Sequence, residues 1–510
     1  MISKWAYEAL GGLKEDSVTI ASGLSPSGEV HVGNLREVLT ADFLYRAAIN
    51  SEYTPTQIMS WDDFDRFRKV PEDIPKSFSE HIGKPYREVP DPFGEYESYG
   101  KRFEVLFEEV AEQLDIQTEF KSQYDNYKSG MYDRDIVNAL RSRREISDII
   151  EGFMTQDLTE EQKNKFYPVS VYSRFTGKDN TRITDYNGDT KISYVCLDTG
   201  KTDTIDFSQD RQVKLGWKID WPMRWNYEGV DIEPGGRDHA SQGGSFDVSS
   251  VISEEIFNNK PPKFIPYEFV KIQGENKKIS SSEGSVITPQ NMLEIYSPEV
   301  IRWMYTRQVP SSQIQISFEP DSVYRIYDEF DTELKRGLSK DNKALISVGD
   351  GLKPKPPFRH LEGIGINTGF TWEKARTLLH NDNHPTNKET EKRFRRIQTW
   401  RDKYKPKETY NIQENSNSSF LKSLSGKERE DMRSLEELIE QKDKLSRKDI
   451  SSEIYQIPKR DYMSNEDKKK SQKEFFKNAY TTLFGRKKGP RLATFIWAAD
   501  KKKLIEPFKE

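Results

Sequence analysis

Pro26-Ser-Gly-Glu-Val-His-Val-Gly-Asn34 lies at the seam between two opposite signals in this 510-residue chain. Upstream, Val18-Thr-Ile-Ala-Ser22 is a β-branched apolar run suited to a buried parallel strand. Downstream, Leu35, Val38, Leu39, Phe43 and Ala47 recur at helical spacing. The nine residues are therefore a strand-to-helix turn. Ligands of open α/β sheets bind outside the carboxyl ends of the strands, and a helix opening there aims backbone N–H groups at anions. Gly28 and Gly33 permit close approach, while His31 and Asn34 supply donors for phosphate or ribose oxygens. The same residues also read as a tight turn with a capping histidine.

Neither common phosphate fingerprint is present. No G-x-x-x-x-G-K-[ST] occurs, and Gly363-Ile-Gly365-Ile-Asn-Thr-Gly369 has the wrong last spacing for a dinucleotide site. A second string of donors lies far downstream, in Lys277-Lys278-Ile279-Ser280-Ser281-Ser282-Glu283-Gly284, suited to clamping a polyphosphate.

The pair His-Val-Gly-Asn and Lys-Ile-Ser-Ser-Ser resembles the HIGH and KMSKS signatures of class I aminoacyl-tRNA synthetases. Further stretches narrow the resemblance to the class I lysyl-tRNA synthetase family, nearly end to end. They are Ala21-Ser-Gly-Leu-Ser-Pro-Ser-Gly28, Trp61-Asp-Asp-Phe-Asp-Arg-Phe-Arg-Lys-Val-Pro71, Asp220-Trp-Pro-Met-Arg-Trp225 and Gly236-Arg-Asp-His239 with Gly243-Gly244. The resemblance implies a lysine–tRNA ligase that uses ATP with Mg2+ and charges the 2′-hydroxyl of tRNA(Lys). Pro26, Ser27, Gly28, His31, Gly33, Asn34, Lys278, Ile279, Ser280, Ser281 and Ser282 are the expected ATP-binding residues, with His31, Asn34 and Lys278 acting on the transferring phosphate. Gly23, Ser25, Trp221 and His239 are expected to line the lysine pocket, and Asp62, Asp63 and Asp65 to offer carboxylates to a cationic substrate. Those three aspartates also read as a strand-end salt-bridge cluster with Arg66, Arg68 and Lys69.

Two departures from the family pattern matter. Ser281 replaces the second lysine of KMSKS and Glu283 adds a negative charge, which predicts slower or differently tuned activation. Relatives commonly carry two Cys-x-x-Cys pairs in the insertion, and the corresponding positions here are Ser173, Thr176, Cys196 and Thr199. Hydroxyls are poor zinc ligands, so no structural zinc and no other metal site on the protein is expected.

Composition agrees with a soluble multidomain enzyme. Mean hydropathy is −0.86, no run of about 18 apolar residues exists to span a bilayer, and the Met1-Ile-Ser-Lys start lacks a signal sequence, so a cytoplasmic protein without membrane partners is expected. The single cysteine excludes an internal disulfide. Net charge is −5, yet residues 460–510 hold 14 Lys or Arg against 7 Asp or Glu. That basic tail suits RNA.

In order, residues 1–16 read as a short helix. Residues 1–90 and 211–260 form a Rossmann-like parallel-sheet catalytic domain, with Thr56–Trp61 as its second strand and Trp217–Trp225 returning to the sheet. Residues 91–210 are an α+β insertion with β runs at 167–172, 181–184, 192–196 and 202–206. Residues 261–350 hold the second signature and a stem-contact region, residues 353–361 a stiff linker, and residues 351–510 an all-α anticodon-binding domain containing a flexible stretch at 411–427. Phe475, Phe476, Tyr480 and Phe484 have core-like spacing, leaving Arg486, Arg491 and Trp497 as candidate tRNA contacts. The other readings are a class I synthetase for another amino acid, such as the glutamyl type, and an inert tRNA-binding paralogue.

Overall fold

The computed structural model describes residues 4–13, 16–272, 287–405 and 410–509. Strands β1 (Ser17–Leu24) and β2 (Thr54–Trp61) are parallel and in register from Ser17 opposite Thr54 to Leu24 opposite Trp61, with helix α1 (Val32–Asn50) crossing between them. β3 (Glu119–Ser122) extends the sheet beyond β2. β4 (Ile232–Gly236) lies on the other side of β1, and β5 (Lys263–Tyr267) beyond that, all parallel. The order β3-β2-β1-β4-β5 reverses direction between β1 and β4. That reversal is the switch point at which doubly wound sheets open a crevice. Pro266 sits in β5, an edge strand, where a missing N–H costs no ladder bond.

α1 is buried on nearly every side: Val32, Leu35, Val38, Leu39, Ala41, Phe43, Leu44, Ala47 and Ala48 are all core. Its buried polar groups are therefore bonded to partners across the core. Asp42, fully buried, takes ion pairs from Arg302 and Arg46, and Arg36 donates to the carbonyls of Pro310 at 2.8 Å and Ser312 at 2.7 Å.

Three boundaries differ from the sequence reading. β3 belongs to the main sheet although it falls within 91–210, so the separate module begins after it. The Trp217–Trp225 stretch is not a strand but the start of helix α2 (Trp217–Glu228), and the chain returns to the sheet only at β4. Trp217, Trp221 and Trp225 are spaced by four, one helical face, and Pro222 is tolerated because the Lys218 carbonyl it leaves without a helix donor accepts from Ser249 Oγ at 3.1 Å. Third, helix Pro320–Arg336 clusters with the C-terminal unit. The two units are Met1–Ser317 with Gly337–Leu352, and Phe318–Arg336 with Lys353–Glu510.

The module holds a three-stranded antiparallel sheet (Thr181–Tyr186, Lys191–Cys196, Thr202–Asp206) and pairs Val169–Val171 with Val213–Leu215. Val171, Ile192, Tyr194 and Ile205 pack with Ile136 and Ile146 of the preceding helices. Within it, Ser173-Arg-Phe-Thr-Gly-Lys178 and Cys196-Leu-Asp-Thr-Gly-Lys201 form matching turns. Gly177 and Gly200 donate to the carbonyls of Ser173 and Cys196 at 2.7 and 2.8 Å, and both adopt left-handed φ, +69° and +70°. The turns face one another, with Thr176 Oγ1 4.0 Å from Cys196 Sγ. Burial raises the thiol's pKa, but hydrogen bonds from Ser173 and Thr199 and from the N–H groups of Thr199 and Asp198 outweigh it and bring it down to about 7.

The second unit is helical throughout, apart from single 3-10 turns. Helix Phe358–Thr368 begins inside the expected linker, because Pro357 serves as its N-cap with no proline beyond. The Asn- and Ser-rich stretch 411–427 is tied down rather than flexible: the N–H groups of Gln413 and Asn417 donate to Leu483 and Pro507 carbonyls, and Ser425 caps helix Gly426–Gln441. Its core gathers Leu435, Ile439, Ile450, Phe475, Leu483 and Ile496.

Candidate active site

His31 is the N-cap of α1. Its Nδ1 accepts from the Asn34 N–H at 3.1 Å, and Asn34 Oδ1 accepts from the His31 N–H at 3.3 Å, a reciprocal capping box. Acceptance at Nδ1 leaves the ring proton on Nε2, so the imidazole is fixed as a donor at its outer nitrogen. Gly33 is needed for that orientation: a Cβ there would lie 2.8 Å from His31 Cε1 and 2.9 Å from Nδ1. The turn before the cap is pinned by the Tyr99 hydroxyl, which donates to the Ser27 carbonyl at 2.9 Å. The capping reading of the stretch describes the structure, and the cap stands at the positive end of a 19-residue helix. Lys278, Ile279, Ser280, Ser281, Ser282 and Glu283 lie outside the described residues.

A cavity of about 330 Å³ opens where β1 and β4 diverge. Gly23, Asp62, Asp65, Trp221 and His239 line it, as expected from sequence. Ser25 and Asp63 do not. Ser25 is exposed beyond the end of β1, and its hydroxyl bonds to Tyr86. Asp63 is fully buried on the far side of β2, where it accepts from Ser122 and from the Tyr124 N–H at 2.7 Å. Burial and the nearby Glu104 raise its pKa to about 7.

The two aspartates in the cavity wall already have cations. Asp62 pairs with Arg224 at 3.0 Å, and Asp65 with Lys214 at 3.0 Å; Asp220 binds both of those cations from behind, at 3.2 and 3.5 Å. The wall's other carboxylates were not singled out in the sequence. Glu37 of α1 accepts from the Gly23 N–H at 2.9 Å and from the Tyr267 hydroxyl at 2.7 Å, and no basic side chain pairs with it among the described residues. Burial lifts its pKa to about 8, aided by Glu233 and Asp62, despite both hydrogen bonds. Glu233 of β4 accepts from the indole N–H groups of Trp221, at 2.9 Å, and Trp225. Burial raises it too.

An apolar wall completes the cavity. Trp217 and Trp221 stack at 4.9 Å between centroids, His239 meets Trp221 edge-on at 5.7 Å, and Arg224 lies over Trp217. Gly235 is needed here for space, since a Cβ would come within 2.5 Å of the Phe264 ring. The cavity is thus a slot with aromatic sides and two carboxylates, Glu37 and Glu233, that accept from neutral donors and have no ion-pair partner among the described residues. It suits a ligand with an apolar stem and an ammonium group.

In the helical unit, Arg486 and Arg491 are exposed and Trp497 is half-buried against the core. Arg486 lies 5.9 Å from the Tyr410 ring centroid. Among the described residues no cluster of three or more His, Cys, Asp or Glu is arranged to hold a metal, and no helix is long and apolar enough to cross a membrane.

Residues 3–346 match the family model for tRNA synthetases class I (K). The chain is 32% identical to a lysine–tRNA ligase of Thermococcus kodakarensis over 97% of this chain and 96% of that one. It is 32% identical to that of Borreliella burgdorferi over 94% and 92%, and 30% identical to that of Pyrococcus horikoshii over 97% and 96%. Among solved structures, a glutamate–tRNA synthetase from Elizabethkingia anophelis overlays with a TM-score of 0.47 at 12% identity, covering 96% of this chain and 98% of that one.

Proposed function

The chain belongs to the lysyl group of class I tRNA synthetases, and we propose from that premise that it is a lysine–tRNA ligase whose amino acid lies in the cavity between Glu37 and the Trp217–Trp221 pair. The observation that carries the pocket assignment is the pairing pattern of its carboxylates. Asp62 and Asp65 are neutralised by Arg224 and Lys214, whereas Glu37 and Glu233 have only neutral donors; Glu233 spends both oxygens on the indoles of Trp221 and Trp225, which leaves Glu37 as the choice for a cation. A lysine ammonium supplies the missing charge, and its methylene stem covers the indole faces.

ATP enters as its magnesium complex, with the metal held by phosphate oxygens and water. A lysine carboxylate oxygen attacks the α-phosphorus, the bond to the bridging oxygen of pyrophosphate breaks, and lysyl-adenylate remains. The terminal ribose 2′-hydroxyl of tRNA(Lys) then attacks the lysyl carbonyl and AMP leaves. No protein nucleophile takes part. The chain's work is positioning and charge stabilisation: His31 presents Nε2–H, Asn34 locks that ring, and the start of α1 adds the positive end of its dipole. Lys278 and the serines that follow it are assigned to the pyrophosphate side through their motif.

Lysine-dependent ATP–pyrophosphate exchange tests this reading. Exchange supported by lysine and lost with Glu37→Gln at subsaturating lysine is the expected result; exchange supported by glutamate in place of lysine overturns it.

A further inference from the structure

In the helical unit, two histidine rings face each other. His360, in helix Phe358–Thr368, and His384, just past helix Trp372–Asn381, have ring centroids 4.7 Å apart at an interplanar angle of 51°. His360 Nε2 is buried and has no hydrogen-bond partner. A buried polar nitrogen left this way is costly, and a hydrogen-bond partner there would remove the cost. Three charged or titratable groups act on His360: His384, Asp382 and Arg491. The one carboxylate, Asp382, is engaged by Arg447 at 3.1 Å. On the rest of the helix, Arg359 is paired with Asp328 and Glu362 with Arg401, so their charges are spent elsewhere. Two imidazoles and a guanidinium are thus gathered with their only acid already neutralised.

We propose that His360, His384 and Arg491 form an anion site that takes a backbone phosphate of the bound tRNA. A phosphate has enough acceptor oxygens to bond a nitrogen of each ring and the guanidinium together. Without an anion, burial first, then His384 and Arg491, hold the pKa of His360 below its ordinary value, so His360 is neutral at pH 8. A phosphate favours the charged form, so binding takes up a proton and strengthens as pH falls. This rests on the tRNA ligase reading, and the test separates the two.

The test is the affinity of the full chain for a tRNA(Lys) transcript at pH 8 and pH 6, at constant ionic strength, for wild type, His360→Gln/His384→Gln and Arg491→Gln. Wild type should bind more tightly at pH 6, by up to about 100-fold if one proton is taken up throughout the two-unit interval. The double variant should lose that gain, and Arg491→Gln should weaken binding at both pH values and lower the salt slope by about one. A transcript that binds wild type and the double variant with the same pH dependence overturns the site while leaving the ligase reading intact. A transcript that binds at neither pH overturns both. Saturable binding of inorganic phosphate alone, lost in the double variant while transcript binding is unchanged, also overturns the RNA assignment.

Discussion

Tyr267, the last residue of β5, donates its hydroxyl to Glu37 Oε2 at 2.7 Å. The bond joins the sheet's edge strand to the helix capped by His31, so one helix carries both that histidine and, less than two turns later, a cavity carboxylate with no ion-pair partner among the described residues.

Glu37→Gln should raise the Michaelis constant for lysine by about 10- to 100-fold, the usual loss for one charge-assisted hydrogen bond. Asp63→Asn, on the far side of β2, should leave it unchanged. Steady-state pyrophosphate exchange at varied lysine checks both, and an unchanged constant in Glu37→Gln moves the ammonium elsewhere.

Protonation of Glu37 gives a pH dependence with a definite sign. Its pKa is raised from an ordinary 4.5 to about 8, so the folded apoprotein keeps a proton that the unfolded chain has lost. Glu37 therefore lowers stability progressively as pH rises from about 4.5 to 8. Glu37→Gln should melt at the wild-type temperature near pH 4.5 and above it at pH 8. Lysine needs the charged form, so its binding should release a proton below pH 8. Titration calorimetry in two buffers of different ionisation enthalpy reads that proton, which should vanish in the variant.

Gly33→Ala forces the His31 ring off Asn34, because the new methyl would sit 2.8 Å from Cε1. Its exchange rate should fall with that of His31→Ala, by about 10²–10³-fold for one lost donor, with the lysine Michaelis constant little changed. Full activity in either variant contradicts the role given to the ring.

Much of this was legible beforehand. A β-branched run followed by helical spacing defined β1 and α1, and the Trp61-Asp-Asp-Phe-Asp stretch pointed to the end of β2. The balance of charges was not legible, because Arg224 and Lys214 reach the aspartates from α2 and a module strand, more than 140 residues away in sequence. Asp62 and Asp63 are adjacent, yet the chain leaves β2 at Trp61 and turns between Asp62 and Asp65, which sends Asp63 away from the cavity to Ser122 and Tyr124. Glu37 left only a faint signal: it is an acidic residue in a largely buried helix, but one that also holds Arg36, Asp42 and Arg46. Glu233 left a clearer one in a strand of otherwise uncharged residues. Trp217–Trp225 folds as a helix rather than returning directly to the sheet, and Ser249, on another helix, satisfies the Lys218 carbonyl that Pro222 leaves open, a contact the local sequence does not show.

The paired turns of the module give a prediction about metal. Purified protein should contain no zinc, since one thiolate cannot supply the ~10–16 kcal/mol of a complete site. Ser173→Cys/Thr176→Cys/Thr199→Cys should acquire about one zinc per chain, because the four positions already face one another across two matching turns. Elemental analysis decides it, and stoichiometric zinc in the unaltered protein that disappears with Cys196→Ser contradicts it.

The central claim is that the switch-point cavity selects lysine for activation. The most direct measurement is ATP–pyrophosphate exchange with each standard amino acid in turn, with tRNA(Lys) present throughout, for wild type and Glu37→Gln. The account predicts exchange with lysine alone, and its loss at subsaturating lysine in the variant. Exchange with glutamate, exchange with no amino acid at all, or a Glu37→Gln protein indistinguishable from wild type would contradict it.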